Sequence, residues 1–273
     1  MKAETFGSPG QLLRAFIDWQ RRLSARFDLL LPAEYRVDGN QDYLSKVLPR
    51  FLLSNARIAD VGGGRHPALS LEKVRELRVV VAGLDRSRDE LEAAPDGSYQ
   101  ELIVADICEY RGNGSYQLAI CQSLLEHVKD TEQALQGIAS LLASGGRAVI
   151  FVPCRNAWYA RINMLLPERL KRAVLFALFP KARGRQGFPA YYNRCTPKEF
   201  IAMATLQGLV VAHVQSYYCS SYFSFFTPLH IFWRIVTLGL RRIYGDQVAE
   251  TFVMVLDRPA TSQSSLHEHF QVQ

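Results

Sequence analysis

The segment Arg57–Pro67, Arg-Ile-Ala-Asp-Val-Gly-Gly-Gly-Arg-His-Pro, constrains the fold more than any other stretch of the chain. A short apolar run, Ile58 to Val61, stops at three consecutive glycines, and Pro67 stands where a helix could open. Glycine lets a backbone turn sharply and lets a ligand approach with no Cβ in the way. Proline is tolerated at the first helical position, where its missing N–H would be unpaired in any case. The segment reads as strand, tight turn and helix start, with the helix expected over Pro67–Leu77. Three glycines alone could also form a flexible loop; the surrounding pattern speaks against that.

From Arg57 onward, short apolar runs alternate with helical patterns. Strands are expected at Ile58–Val61, Val79–Leu84, Leu102–Ala105, Gln117–Cys121 and Arg147–Val152, and helices at Ser87–Ala94 and Thr131–Ala143. Thr196-Pro197 opens another helix, and Leu209–Val214 and Thr251–Leu256 read as two further strands. Such alternation implies an α/β fold with a mostly parallel sheet and helices on both faces. Ahead of it, Leu12, Phe16, Trp19, Leu23, Phe27 and Leu30 recur at helical spacing. A second helix from Asp42 is expected to place Leu44, Val47, Leu48, Phe51 and Leu52 on one face. The expected organisation is an N-terminal helical cap over 1–54, a main domain over 55–257 and a polar tail over 258–273. Insertions are expected at about 155–194 and 219–247.

With 273 residues, 48% of them hydrophobic, the chain can bury a sizeable core. Its five cysteines (Cys108, Cys121, Cys154, Cys195, Cys219) are odd in number and form no Cys-x-x-Cys pair, which points away from a disulfide framework or a zinc site. Met1 to Gly10 holds no apolar core of signal-peptide length, so a cytoplasmic location is expected.

Charge is uneven. Between Arg155 and Arg194 nine basic residues face Glu168 alone, a net +8, whereas the whole chain carries +6. Basicity is therefore local, and a partner touching this segment matters more than the overall balance. The most apolar stretch, Tyr222–Leu240, is interrupted by Pro228, His230 and Arg234, which argues against a membrane span. It reads instead as a helix capped by Thr227 and running to Gly245. Leu229, Phe232, Trp233, Val236, Leu240 and Ile243 fall on one face, and His230, Arg234, Thr237 and Arg241 on the other. Packing of the apolar face on its own domain is the first expectation. A lid over a hydrophobic substrate, or a face dipping into a membrane surface, is the alternative.

Two kinds of ligand commonly sit on a strand–glycine turn–helix unit, dinucleotides and S-adenosylmethionine. The dinucleotide fingerprint Gly-x-Gly-x-x-Gly fails, because Pro67 stands at its last position when counted from Gly62. Asp60, two residues before the glycines, would repel a pyrophosphate but could hold a cationic amino group, directly or through water. A sulfonium cofactor with an ammonium group fits that charge. An acidic residue for the ribose hydroxyls is then needed after the second strand, and Asp85 follows Gly62 by 23 residues, near the expected spacing.

At this point the chain resembles the class I, seven-stranded, Rossmann-like S-adenosylmethionine-dependent methyltransferases. The matching motifs are Asp60-Val-Gly-Gly-Gly, Asp85 after strand two, Ala105-Asp106-Ile107 after strand three and Cys121-Gln-Ser-Leu-Leu-Glu-His-Val128 after strand four. Leu141-Leu-Ala-Ser-Gly-Gly-Arg-Ala-Val-Ile150 is similar to the family's helix, turn and fifth strand. The resemblance implies that Asp60, Gly62, Gly63 and Gly64 surround the methionine part and that Asp85, with Arg86 beside it, serves the ribose. Asp106 and Ile107 would hold the adenine edge, with Gln122 and Ser123 lining the site beyond strand four. The family often has a further glycine where His66 stands.

Methyl transfer from a sulfonium is an in-line displacement on an activated electrophile, so such an enzyme mainly aligns an acceptor and in some cases removes its proton. His127 is the candidate base, and pinning the loop is its alternative role. Similar ubiquinone-type O-methyltransferases can bind a divalent metal in this motif; Ser123 stands at one expected carboxylate position, so no metal is expected here. Acceptor specificity in the family lies in the cap and the insertions, and Tyr191, Tyr192 and Arg194 are candidates for bordering the acceptor. A basic insertion with Met164, Leu165, Leu166, Leu170, Val174, Leu175, Leu178 and Phe179 beside an aromatic helix suits a small-molecule, lipid-linked or glycan-precursor acceptor, O-methylated at an anionic membrane surface. RNA is the rival acceptor, since a basic patch also neutralises phosphates, and nucleic acid ranks behind. A non-catalytic scaffold that binds the cofactor or a membrane is the rival from another class.

Overall fold

The computed structural model describes residues 9–167, 189–220 and 222–260. Seven strands form one sheet: β1 (Arg57–Val61), β2 (Val80–Asp85), β3 (Glu101–Val104), β4 (Tyr116–Gln122), β5 (Leu142–Pro153), β6 (Val210–Tyr217) and β7 (Thr251–Asp257). Their order is β3-β2-β1-β4-β5-β7-β6. The first five run parallel, and β7 inserts antiparallel between β5 and β6. Because β1 has β2 on one side and β4 on the other, the chain order reverses at β1. A crevice opens outside the carboxyl ends of strands at such a switch point.

The helices are α1 (Pro9–Asp28), α2 (Gly39–Asp42), α3 (Leu71–Leu77), α4 (Arg88–Glu92), α5 (Thr131–Leu141), α6 (Trp158–Leu165), α7 (Pro197–Leu206) and α8 (Thr227–Tyr244). Local chemistry sets several starts. Ser70, Ser87, Asp130 and Thr196 each accept a hydrogen bond from the backbone N–H three residues on, opening α3, α4, α5 and α7. The capping serine moves the start of α3 to Leu71. Pro67 does not open it, and residues 62–70 form an extended turn instead.

Burial on both faces of the sheet explains why its strands read as near-continuous apolar runs. On one face α5 and α7 cover Ala59, Val61, Ala119, Cys121, Ala148 and Ile150. On the other, Tyr43, Val47 and Leu48 lie against Ile58, Ile120, Val149 and Phe151. The expected second helix is α2 continued by a π turn, Tyr43–Val47, and a 3₁₀ turn, Leu48–Phe51. A wider π turn shifts the register, so Tyr43 faces the sheet and donates its hydroxyl to the Val149 carbonyl at 3.2 Å, while Leu44 is exposed.

The larger correction concerns α8. Its polar face is the buried one, with His230 1% and Arg234 0% exposed, whereas Phe232 of the expected apolar face is 60% exposed; Trp233 of that face is buried, its Nε1 donating to Glu250 Oε1 at 2.8 Å. The cause is α1, which lies alongside. Asp28 accepts from His230 Nε2 at 3.0 Å and from Arg234 Nε at 2.9 Å. Arg234 also donates to the carbonyls of Tyr218 and Tyr35. Thr227 does not cap α8 either; Phe226 holds that position, and the Thr227 hydroxyl donates to the Gln20 carbonyl at 3.0 Å.

No helix among the described residues is long and apolar enough to cross a membrane. Most of the basic insertion (Glu168 to Phe188, including Leu170, Val174, Leu175, Leu178 and Phe179) and the tail beyond Ala260 lie outside the described residues.

Candidate cofactor and active site

The glycine turn is built from the end of β1. Side chains alternate along a strand, so Asp60 points to the same face as Ile58 while Ala59 and Val61 point to the other. Gly62 and Gly64 have φ of +80° and +49°, a region that disfavours a side chain. Gly63 is required by space, since a Cβ there would lie 2.5 Å from both Asp60 Oδ2 and the Tyr99 hydroxyl. Beneath the turn, Asp60 Oδ2 accepts the Ala68 N–H at 2.8 Å. The Tyr99 hydroxyl lies 3.0 Å from the Gly64 carbonyl and 3.3 Å from Asp60 Oδ2, and its single proton is directed to one or the other. Burial pushes Asp60 up to about 6 against the opposing pull of these donors.

Outside the turn lies a cavity of about 590 Å³, within the range of small-molecule sites. It gathers Gly62, Gly63, Gly64, Asp85, Arg86, Asp106, Ile107, Ser123, His127 and Tyr191 from the ends of β1, β2, β3 and β4 and from the chain before α7. Asp85 accepts the Ser87 N–H at 2.9 Å, and burial raises its carboxyl above the ordinary range. Asp106 accepts the Cys108 N–H at 2.9 Å, which fixes the turn after β3. Ser123 sits at φ +51° directly after β4.

Four expected residues stand elsewhere. Asp60 is buried under the turn and is not on the cavity wall; what it holds is the turn itself. Gln122 reaches away to Asn40, donating to its Oδ1 at 2.6 Å. Tyr192 is buried in the core at φ +50°, and Arg194 pairs with Glu132 at 2.5 Å on α5. Of the three acceptor candidates, only Tyr191 borders the cavity.

His127 lies on the wall with Nδ1 2.9 Å from the Pro189 carbonyl. A carbonyl only accepts, so Nδ1 carries the proton and Nε2 holds the lone pair of the neutral ring. Desolvation lowers the His127 pKa, which keeps the ring neutral. Its neighbour Glu126 is buried and pushed up to about 8 by that burial, with Oε2 lacking a hydrogen-bond partner. Both shifts disfavour charge, so the 3.7 Å contact between Glu126 Oε1 and His127 Nε2 is not an ion pair at neutral pH.

Two features of the site were missed in the sequence. One is Tyr99, which pins the turn; a glycine inside an apolar strand was its signal, because a Cβ on Gly83 would meet the Tyr99 ring at 2.8 Å. The other is the bidentate pair of Arg65 with Glu90, both contacts 2.6 Å, at the cavity. A second hollow of about 620 Å³, bordered by Arg155, Arg161 and Lys198, contains none of the expected site residues. Among the described residues no group of three or more His, Cys, Asp or Glu side chains is placed to hold a metal.

A switch-point cavity lined by a side-chain-free turn and by two strand-end carboxylates has the layout of a nucleotide-cofactor site of the doubly wound α/β class. A family model described as a methyltransferase domain matches residues 33–212. A ubiquinone biosynthesis O-methyltransferase of Ralstonia nicotianae is 30% identical over 181 residues, covering 64% of this chain and 70% of the relative. An S-adenosylmethionine-dependent methyltransferase from Mesorhizobium loti shares the fold at a TM-score of 0.51 and 16% identity, over 81% of this chain and 98% of its own. Phosphoethanolamine N-methyltransferase 2 of Haemonchus contortus, solved with S-adenosyl-L-methionine, shares it at 0.50 and 16%, over 91% and 60%. The chain belongs to the methyltransferase-domain family and is an S-adenosylmethionine-dependent methyltransferase.

Proposed function

We propose that the protein transfers the methyl group to an oxygen of a small-molecule acceptor. In this reading Asp85 takes the ribose hydroxyls, Asp106 and Ile107 hold the adenine edge, and the bare backbone of Gly62–Gly64 admits the methionine part. Asp60 and Tyr99 hold that backbone in place. The cofactor, when bound, supplies an activated methyl group. The protein's own work is to align the acceptor oxygen and take its proton.

The observation that carries an oxygen acceptor is the state of His127. A hydroxyl must lose a proton on methylation, and His127 stands on the cavity wall as a neutral imidazole, a group able to take it. The O-methyltransferase relative supports the same chemistry. His127→Gln is expected to lower kcat by roughly a hundredfold and leave cofactor affinity unchanged. An unchanged kcat would reduce His127 to a loop support.

The acceptor is read as amphiphilic, delivered at an anionic membrane surface beside the basic insertion, and RNA ranks behind it. Radiolabelled methyl transfer into fractions of a host extract tests this: label is expected with lipids and small molecules, and label confined to RNA would contradict it.

A further inference from the structure

The feature that no part of the catalytic site uses is the outward side of the α1–α8 pair. An amphipathic helix on a globular domain normally buries its apolar side. In α8 the order is reversed: Leu229, Phe232, Ile235 and Ile243 face out, Ile243 with 73% of its surface exposed. Burying Arg234 needs the Asp28 carboxylate and two backbone carbonyls, so the polar contacts are built to turn this side away from the domain. Along α1, Leu12, Phe16 and Trp19 are likewise exposed.

Charge selects the occupant. Exposed positions of the two helices include Arg14, Arg21, Arg22, Arg26 and Arg242 against a single carboxylate, Asp18, which pairs with Arg21 at 3.6 Å. A second copy would set arginines against arginines. An apolar stripe flanked by cations fits a bilayer with anionic headgroups, where the stripe enters the acyl boundary and the guanidinium groups meet phosphates. The geometry points to this face of α1 and α8 as a docking surface for an anionic lipid bilayer. It rests on neither the acceptor reading nor the basic insertion at 155–194.

Gly239 offers a test that spares the fold. It lies within the outward stripe, and a Cβ added there meets nothing within 4 Å. Replacing a mid-helix glycine also favours the helix. The full chain is sedimented with vesicles of equal parts phosphatidylglycerol and phosphatidylcholine, with calorimetric S-adenosylmethionine binding as the check on folding. Gly239→Glu is expected to weaken partition by roughly tenfold and Gly239→Leu to strengthen it several-fold, both with unchanged cofactor affinity. Wild-type protein that does not sediment with these vesicles, or two variants that partition like wild type, would overturn the proposal. So would a wild-type dimer in light scattering that Gly239→Glu dissociates, which would make the face a self-interface.

Discussion

The glycine turn at Arg57–Pro67 and the helix pair α1–α8 are each held by a hydrogen-bonded carboxylate, Asp60 in one and Asp28 in the other, but they differ in the span of chain that builds them. The turn is local: Asp60, the three glycines and Ala68 fall within nine residues, and its most distant support, Tyr99, is 39 residues from Asp60. The helix pair joins Asp28 to His230 and Arg234, 202 and 206 residues away. Short-range chemistry can be read from spacing, whereas a long-range partner can invert what spacing suggests. The apolar stripe of α8 was legible; its direction was set by Asp28.

The sharpest way to break this contrast is Arg234→Ala, which takes its donor from two carbonyls and leaves Asp28 with His230 alone. Loss of one partner of a buried pair costs about 3–5 kcal/mol, to be read from urea unfolding. A loss below about 1 kcal/mol, the range of exposed pairs, would mean that the network does not set the orientation of α8. Tyr99→Phe comes next. It removes one hydroxyl from the support of the turn, worth about 1 kcal/mol, so the melting temperature should fall by about 2–4 °C and S-adenosylmethionine should bind up to about fivefold more weakly. Equal affinity would separate the turn from Tyr99.

The smallest effect is that of pH. Asp60, pushed up to about 6 by burial, is charged at pH 7.5 and largely protonated at pH 5. A cationic cofactor is favoured by the charged form, so affinity should fall several-fold as pH drops through 6. Asp60→Asn should flatten that profile; a wild-type profile flat from pH 5 to 7.5 would separate Asp60 from cofactor binding. The sign for stability is opposite. Asp60, Glu126 and Glu250 all have folded-state values raised by burial, to about 6, 8 and 7. The folded state therefore holds protons that the unfolded chain has lost above the ordinary carboxyl range. Ligand-free stability should be greatest near pH 5 and decline toward pH 8.

Most of the strands and the cavity-facing residues Gly62–Gly64, Asp85, Asp106, Ile107, Ser123 and His127 were legible because turn glycines, strand-end carboxylates and capping residues act on near neighbours. Residues whose role depends on distant packing were not. Gln122 looked like part of the site, yet Asn40, 82 residues away, takes its side chain. Arg194 looked like an acceptor contact, yet Glu132 on α5 claims it. The start of α3 was misplaced for a local reason: Ser70 offers a side-chain oxygen to the Lys73 N–H, and Pro67 has none to offer.

In the proposed site the turn after β1 and the carboxylate after β2 hold S-adenosylmethionine together. Calorimetric titration of wild type and Asp85→Ala tests it most directly. Wild-type protein should bind the cofactor, and Asp85→Ala, which loses the partly buried carboxylate proposed for the ribose, should bind it roughly a hundredfold more weakly while unfolding at nearly the same temperature. Equal affinities in the two proteins would contradict the assignment of this cavity.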